Sequence, residues 1–231
     1  MAKQEEKEKF YENPEVLEES IDQAEEFVTQ NRNIIVGVLA AIAIGVGAFF
    51  FLQNNTKQQN IEAERELFPA VFFFEKDSLN KALNGDGSTT MGLLQIMDDF
   101  SGTKAANLAN FYAGASYLKQ GEFQNAIEYL SAFEASDYLL DARAQSLIGD
   151  AHLELGNTDA AIKAYESAAS IYPNKEFTPI YLQKLAFAYA ESGNYQAASE
   201  SMQQIVDDFP GAEIKRTAQK YASYYASQAG N

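Results

Sequence analysis

Apolar positions along this chain recur at helical spacing almost throughout, and in one place they run together. From Ile34 to Leu52 the sequence reads IIVGVLAAIAIGVGAFFFL, 19 residues without a charge, bracketed by Arg32 and Lys57. At about 1.5 Å per residue such a helix crosses a hydrocarbon core of roughly 30 Å. The polar flanks, and the lack of a second run this long, argue against a buried core helix. A cleaved signal peptide fits poorly, because the preceding segment is long and acidic and no small-residue cleavage site comes after it at the usual place. Residues 34–52 are therefore read as a single retained transmembrane helix. Within it Gly37, Ala41 and Gly45 recur every four residues. They form a smooth face on which another span could pack closely, although such spacing is common in spans.

Periodic segments flank this run. Residues 2–12 form a charged, mostly acidic lead-in, predicted to be disordered. Asn13-Pro14-Glu15 predicts a helix start, with a capping side chain, a proline in the first turn and a carboxylate near the positive end of the dipole. Leu17, Ile21, Ala24 and Val28 then make an apolar stripe on an acidic helix. That stripe either docks on a partner or simply leads into the span. Beyond the span, residues 58–83 are predicted helical, with Ile61, Arg65, Phe68 and Phe72 near one face. Pro69 should kink this helix or begin a new one. Phe72, Phe73 and Phe74 are expected to cover the helices of the second half as an N-terminal cap. Residues 84–88 read as a loop, too poor in carboxylates for an EF-hand, and 90–100 as a further helix.

The second half repeats itself. GASYLKQGEFQNAIEYL from Gly114, GDAHLELGNTDAAIKAY from Gly149 and AFAYAESGNYQAASESM from Ala186 share one frame. A small residue leads to a turn glycine (Gly121, Gly156, Gly193), then to an alanine with a large side chain four residues later. The turn glycines lie 35 and 37 residues apart. That period and punctuation mark a helix–turn–helix array, whose units bury their apolar faces only by stacking. The paired helices are predicted at 105–119 with 123–135, 141–155 with 159–171, and 179–192 with 195–209. Pro173 and Pro210 close the last two pairs. Residues 212–227 predict an amphipathic capping helix with Ile214, Ala218, Tyr221 and Tyr225 on one face. Gly114, Gly149 and Ala186, opposite Ala126, Ala161 and Ala198, should let the helices of each pair approach closely.

Composition narrows the function. A net charge of −16 argues against nucleic acid and against an anionic membrane surface as partners. Without cysteine there are no disulfides or thiolate metal sites. His152, the sole histidine, falls where the other repeats have Tyr117 and Tyr189, so it reads as a packing residue and not a ligand. No catalytic, metal-binding or cofactor constellation emerges, and no small-molecule substrate is implied. The acidic pairs Asp98-Asp99 and Asp207-Asp208 read as solvated helix faces.

The repeat frame resembles the tetratricopeptide family over roughly residues 105–210. The first repeat departs from it, with Asn110 in place of a large aromatic and no closing proline. The expected fold is all-α, an N-terminal transmembrane helix followed by a tetratricopeptide-repeat α-solenoid with capping helices. Its segments would be an acidic tail at 1–33, the span at 34–52, a linker with capping helices at 53–104, three repeats at 105–211 and a terminal helix at 212–231. The resemblance implies a concave groove lined by the first helix of each pair. By position this gives Leu108, Phe111, Ala115, Leu118 and Lys119, then Arg143, Ser146, Asp150, Leu153 and Glu154, then Ile180, Gln183, Phe187, Ala190 and Glu191. Phe111 and Ala115 stand where chaperone-docking members place a carboxylate clamp, so an extended or helical peptide segment suits the groove better. Charging Phe111 and Phe187 is expected to weaken partner binding without unfolding the array.

The layout as a whole resembles the YfgM-type ancillary proteins of the bacterial Sec translocon. Residues 82–87 and 103–114 are also similar to membrane-anchored tetratricopeptide proteins of the Bacteroidetes group. This implies a non-enzymatic scaffold in the inner membrane, with a cytoplasmic N-terminus and periplasmic repeats. Its partners would be translocon subunits, periplasmic chaperones or nascent chains, with one span in the lipid bilayer. Lysine and arginine counts near the span do not themselves fix the orientation. An assembly role in another envelope export or motility complex is the alternative.

Overall fold

The computed structural model describes residues 14–230, without the side chains of 14–17, 19–20 and 51–56. The acidic lead-in, the Asn13 cap, the Leu17 side chain and the last side chains of the expected span lie outside the described residues. Eleven α-helices and no strands are present among the described residues. The chain divides into two compact units at residues 57 and 58.

In the first unit, α1 (Pro14–Gln30) leads into α2 (Arg32–Glu75). Arg32–Phe50 has a mean hydropathy of 2.4 and none of it is buried. It is long and apolar enough to cross a membrane. Nothing among the described residues packs against Gly37 or Gly45, and Ala41 is exposed. Ile21 and Val28 of α1 are also exposed.

The second unit begins within α2. Ala63, Leu67 and Ala70 are buried against α3 (Leu79–Asn84), α4 (Leu93–Asp99) and α5 (Lys104–Gln120). Of the two outcomes expected at Pro69, a new helix does not begin there, since α2 runs through it to Glu75. Pro69 forfeits one bond, to the carbonyl of Arg65, on a turn whose Arg65 side chain is exposed and where water can replace it. The chain turns instead at Asp77, which takes a left-handed φ of 57°. Of the three expected capping phenylalanines, Phe73 and Phe74 pack on this core and Phe72 points outward. Phe74 meets Tyr112 of α5 edge-on at 5.3 Å. The loop before α4 is fastened by Asp86, whose Oδ1 accepts from the backbone N–H groups of Ser88, Thr89 and Thr90 at 2.9–3.0 Å. Those three bonds hold its carboxyl down at about 2.

Three helical pairs come next: α5 with α6 (Phe123–Ala132), α7 (Tyr138–Glu154) with α8 (Thr158–Ile171), and α9 (Thr178–Glu191) with α10 (Tyr195–Asp208). Helix α11 (Lys215–Ala229) closes the stack. Each turn glycine adopts a left-handed φ of 74–81°. At each, the glycine N–H bonds the carbonyl three residues back, and the next N–H reaches the carbonyl of Tyr117, His152 or Tyr189. This doubly bonded C-cap releases the chain into the second helix in the same direction every time.

Helices α4 and α11 begin three residues later than expected, and two boundaries between the first and second pairs differ for one reason. Helix α6 stops three residues early and α7 starts three early. Asn107 of α5 donates to the Glu134 carbonyl at 2.7 Å and accepts from its N–H at 2.8 Å, holding that residue out of the helix. Asp137 then caps α7 by accepting from Leu139 and Leu140 N–H.

Close approach within pairs is real. A Cβ on Gly114 would lie 2.6 Å from Leu130 Cγ, and one on Gly149 would lie 2.6 Å from the Tyr165 ring. Ala186 and Met202 take the corresponding places in the third pair, both fully buried in one cluster.

Candidate protein-binding groove

The first helices of successive pairs touch one another. Phe111 of α5 shares a cluster with Ala144 and Ile148 of α7. Lys184 of α9 bonds Asp150 of α7, and Phe187 of α9 meets Tyr221 of α11 edge-on at 5.6 Å. Helices drawn together along one row put that row on the inside of the curve. The inner row is thus α5, α7, α9 and α11, and α6, α8 and α10 form the outer one.

The residues assigned to the groove divide sharply. Phe111 is only 7% exposed, and Ala115 and Ser146 are buried. Leu108, Leu118, Leu153, Gln183 and Ala190 are half-buried, Leu108 and Leu153 being packed on core clusters. Arg143, Glu154 and Glu191 are exposed. So are Ile180 and Phe187, at 42% and 38%. The expectation that Phe111 can be charged harmlessly is corrected here. Its ring fills the seam between α5 and α7, beside Phe133 at 5.5 Å.

Asp150 is not a free acceptor. Lys184 Nζ reaches its two oxygens at 2.7 and 2.6 Å, and the Tyr165 hydroxyl donates to it at 2.7 Å. Lys184 also donates to Ser146 Oγ at 3.3 Å and lies over the Tyr165 ring. This knot ties α7, α8 and α9 together. Burial, then the Asp150 charge, push the Tyr165 hydroxyl well above its ordinary range. Lys119, assigned to the lining, instead pairs with Asp77 at 2.8 Å and covers Phe74. The sequence frame did not reveal Lys184. Its signal was a lone lysine on an otherwise apolar stretch of helix, a full repeat away in sequence from its acid.

The aromatic positions behind the turns serve packing. Tyr117 stacks on Tyr129 at 5.3 Å, and the Tyr189 hydroxyl donates to Glu166. His152 Nδ1 is buried with no hydrogen-bond partner among the described residues. Among the described residues, no cluster of three or more acidic or histidine side chains could hold a metal.

What these elements define is an all-α stack of helical hairpins with an inner row open toward its C-terminal end. Tetratricopeptide-repeat family models match residues 113–176 and 152–221. Residues 113–221 are thus built of tetratricopeptide repeats, whose stacks serve as protein–protein interaction scaffolds. The first match begins partway along α5, beyond Asn110, where the first repeat leaves the family frame. No curated protein matches the chain.

Proposed function

We propose that this protein is a non-enzymatic, membrane-anchored scaffold that binds protein partners on the inner row of its repeats. The carrying observation is an apolar helical segment, Arg32–Phe50, with no residue buried, on the same chain as a repeat stack whose inner face stays open at Ile180 and Phe187. A core helix this apolar would be covered by its own protein. One span fixes the stack to a bilayer and leaves its inner face for a partner. The finer reading is an accessory of the bacterial Sec translocon in the inner membrane, with the N-terminus cytoplasmic and the repeats periplasmic. There it would engage periplasmic chaperones or emerging polypeptides. The shared layout of acidic tail, single span and short repeat domain supports that reading.

The test is purification of the full chain from membranes in mild detergent, with intact mass and mass spectrometry of copurifying proteins. The expected result is an uncleaved chain with translocon channel subunits and chaperones at comparable abundance. A chain processed after the apolar segment removes the anchor. Export or motility components in place of the translocon keep the scaffold and refute the Sec assignment.

A further inference from the structure

Beyond residue 58, helix α2 carries two stripes of the same spacing. Ala63, Leu67, Ala70 and Phe74 pack on the core of the second unit. Ile61, Arg65, Phe68 and Phe72 repeat their intervals of four, three and four, displaced by two residues. At 3.6 residues per turn that displacement is about 200° around the helix, so the second stripe lies opposite the first. Its Ile61, Phe68 and Phe72 are 61%, 75% and 47% exposed, and nothing among the described residues covers them. Apolar side chains on two opposite faces are the pattern of a helix covered on both.

Intervals of four, three and four are those of successive d and a positions in a heptad. Ile61 and Phe68 take d, and Arg65 and Phe72 take a. Glu62 then falls at e and Glu64 at g, and both are exposed. The Arg65 side chain is 72% exposed and pairs with Glu62 at 3.9 Å and Glu66 at 3.2 Å, on its own stretch of helix. Exposed pairs of this kind hold a side chain weakly, so Arg65 can turn to a partner.

Resting on the proposed single span, we infer that this stripe pairs with the same stripe of a second copy, as a parallel two-stranded coiled coil. The charges name the occupant. In such a pair each a side chain enters a hole made by the neighbouring d, g, a and d residues of the facing helix. Arg65 falls beside Ile61, Glu64 and Phe68 of the second copy. Its guanidinium meets a Glu64 oxygen other than the one that accepts from Asn60. The two-fold axis repeats that bond on the other side. The face therefore carries both members of its own ion pair, and a single polar a residue fixes strand number and register. The span supplies the parallel direction, because two copies inserted the same way run side by side. Confinement to one bilayer also raises the effective concentration that so short a stripe requires. An anionic lipid surface is the less favoured occupant, because Glu62, Glu64 and Glu66 stand along the stripe and are repelled by it.

The chain has no cysteine, so a single introduced thiol reports on its neighbour without background. Full-length Ile61→Cys and, on the outer row, Gln124→Cys are placed in liposomes at high lipid excess and oxidised with copper phenanthroline. Both positions are exposed. Ile61→Cys should yield at least about fivefold more disulfide-linked dimer than Gln124→Cys. Adding Arg65→Glu should lower the Ile61→Cys dimer by about fivefold or more. Adding Glu64→Arg as well should restore it, because the exchanged pair is complementary again. Ile61→Cys that links no better than Gln124→Cys, in a chain that resists carbonate extraction, overturns the pairing and leaves the anchor standing. A chain that carbonate extracts overturns the anchor and the pairing that rests on it. Loss with Arg65→Glu that Glu64→Arg does not restore overturns the self-complementary register. In native membranes, a benzophenone on the same cysteine that captures a different protein in place of a second copy also overturns the inference.

Discussion

Gly149→Ala tests how the pairs are built. The new Cβ would lie 2.6, 2.7 and 2.9 Å from three atoms of the Tyr165 ring. That ring has nowhere to go. Tyr165 is 1% exposed, and its hydroxyl is held by Asp150, which Lys184 holds in turn. Overpacking a rigid site costs about 1–3 kcal/mol, whereas alanine in a helix interior returns roughly 1 kcal/mol relative to glycine. With the ring pinned, the clash falls in the upper part of that range, about 2–3 kcal/mol, so the net loss is about 1–2 kcal/mol, or roughly 2–8 °C in Tm for a unit of this size. The third pair supplies its own control, because Ala186 is tolerated there opposite Met202. A flexible thioether yields where a ring does not. Tyr165→Met should therefore relieve Gly149→Ala, and the double-mutant cycle should show a favourable coupling of at least about 1 kcal/mol. Near-ultraviolet circular dichroism tracks the tyrosine packing through the melt. A Gly149→Ala variant as stable as the parent, or a coupling near zero, would refute the close-approach argument.

Gly156→Ala should cost about 1 kcal/mol in a denaturant melt; its φ is 74° with no atom within 4 Å of the added Cβ, so the loss is purely conformational. Phe111→Glu should destabilise the array by about 3–5 kcal/mol, the range for losing a core phenylalanine, while Phe187→Glu, which gives up the edge-on contact with Tyr221, should cost only about 1 kcal/mol. Burial, then the hydrogen bond to Glu166, raise the Tyr189 hydroxyl from 10.0 to about 12. Protonated Tyr189 thus favours the folded state up to the unfolded value of 10.0, and that contribution disappears as pH climbs through about 12. In a Tyr189→Phe variant this part of the alkaline loss of stability should vanish, and one fewer late-titrating phenol should remain in the ultraviolet.

What could be read from the sequence was what local chemistry decides. The turn glycines, the small residues facing Leu130 and Tyr165, and the amphipathic face of α11 result from backbone geometry and helical spacing. Each can be seen within a few residues. The missed features depend on partners distant in sequence. Asn107 shortens α6 by bonding Glu134, 27 residues on, and Lys184 ties Asp150 from 34 residues away. Pro69 misled for the opposite reason. A local rule allowed a new helix to begin there, but packing of Ala63, Leu67 and Ala70 holds one helix on both sides of it.

The proposed groove is a set of repeat positions whose exposure the sequence does not give. Repeat position assigns Phe111, Ser146 and Gln183 to one register, and Ala115, Asp150 and Phe187 to the next. It says nothing of how deeply each is covered. In both registers exposure rises along the stack, from buried in the first repeat to half-buried Gln183 and exposed Phe187 in the third. The cause is what packs against each helix. Helix α5 has the capping segments on one side and the aliphatic face of α7 on the other. Helix α9 meets α11, which buries Tyr225 in the shared core and leaves Lys220 and Tyr224 outward. A peptide laid on this row therefore finds its apolar contacts at the C-terminal end, where Phe187 remains accessible. Variants at Phe111 report on folding, and variants at Phe187 report on binding. A screen that pools the two would mistake collapse of the first seam for loss of a partner.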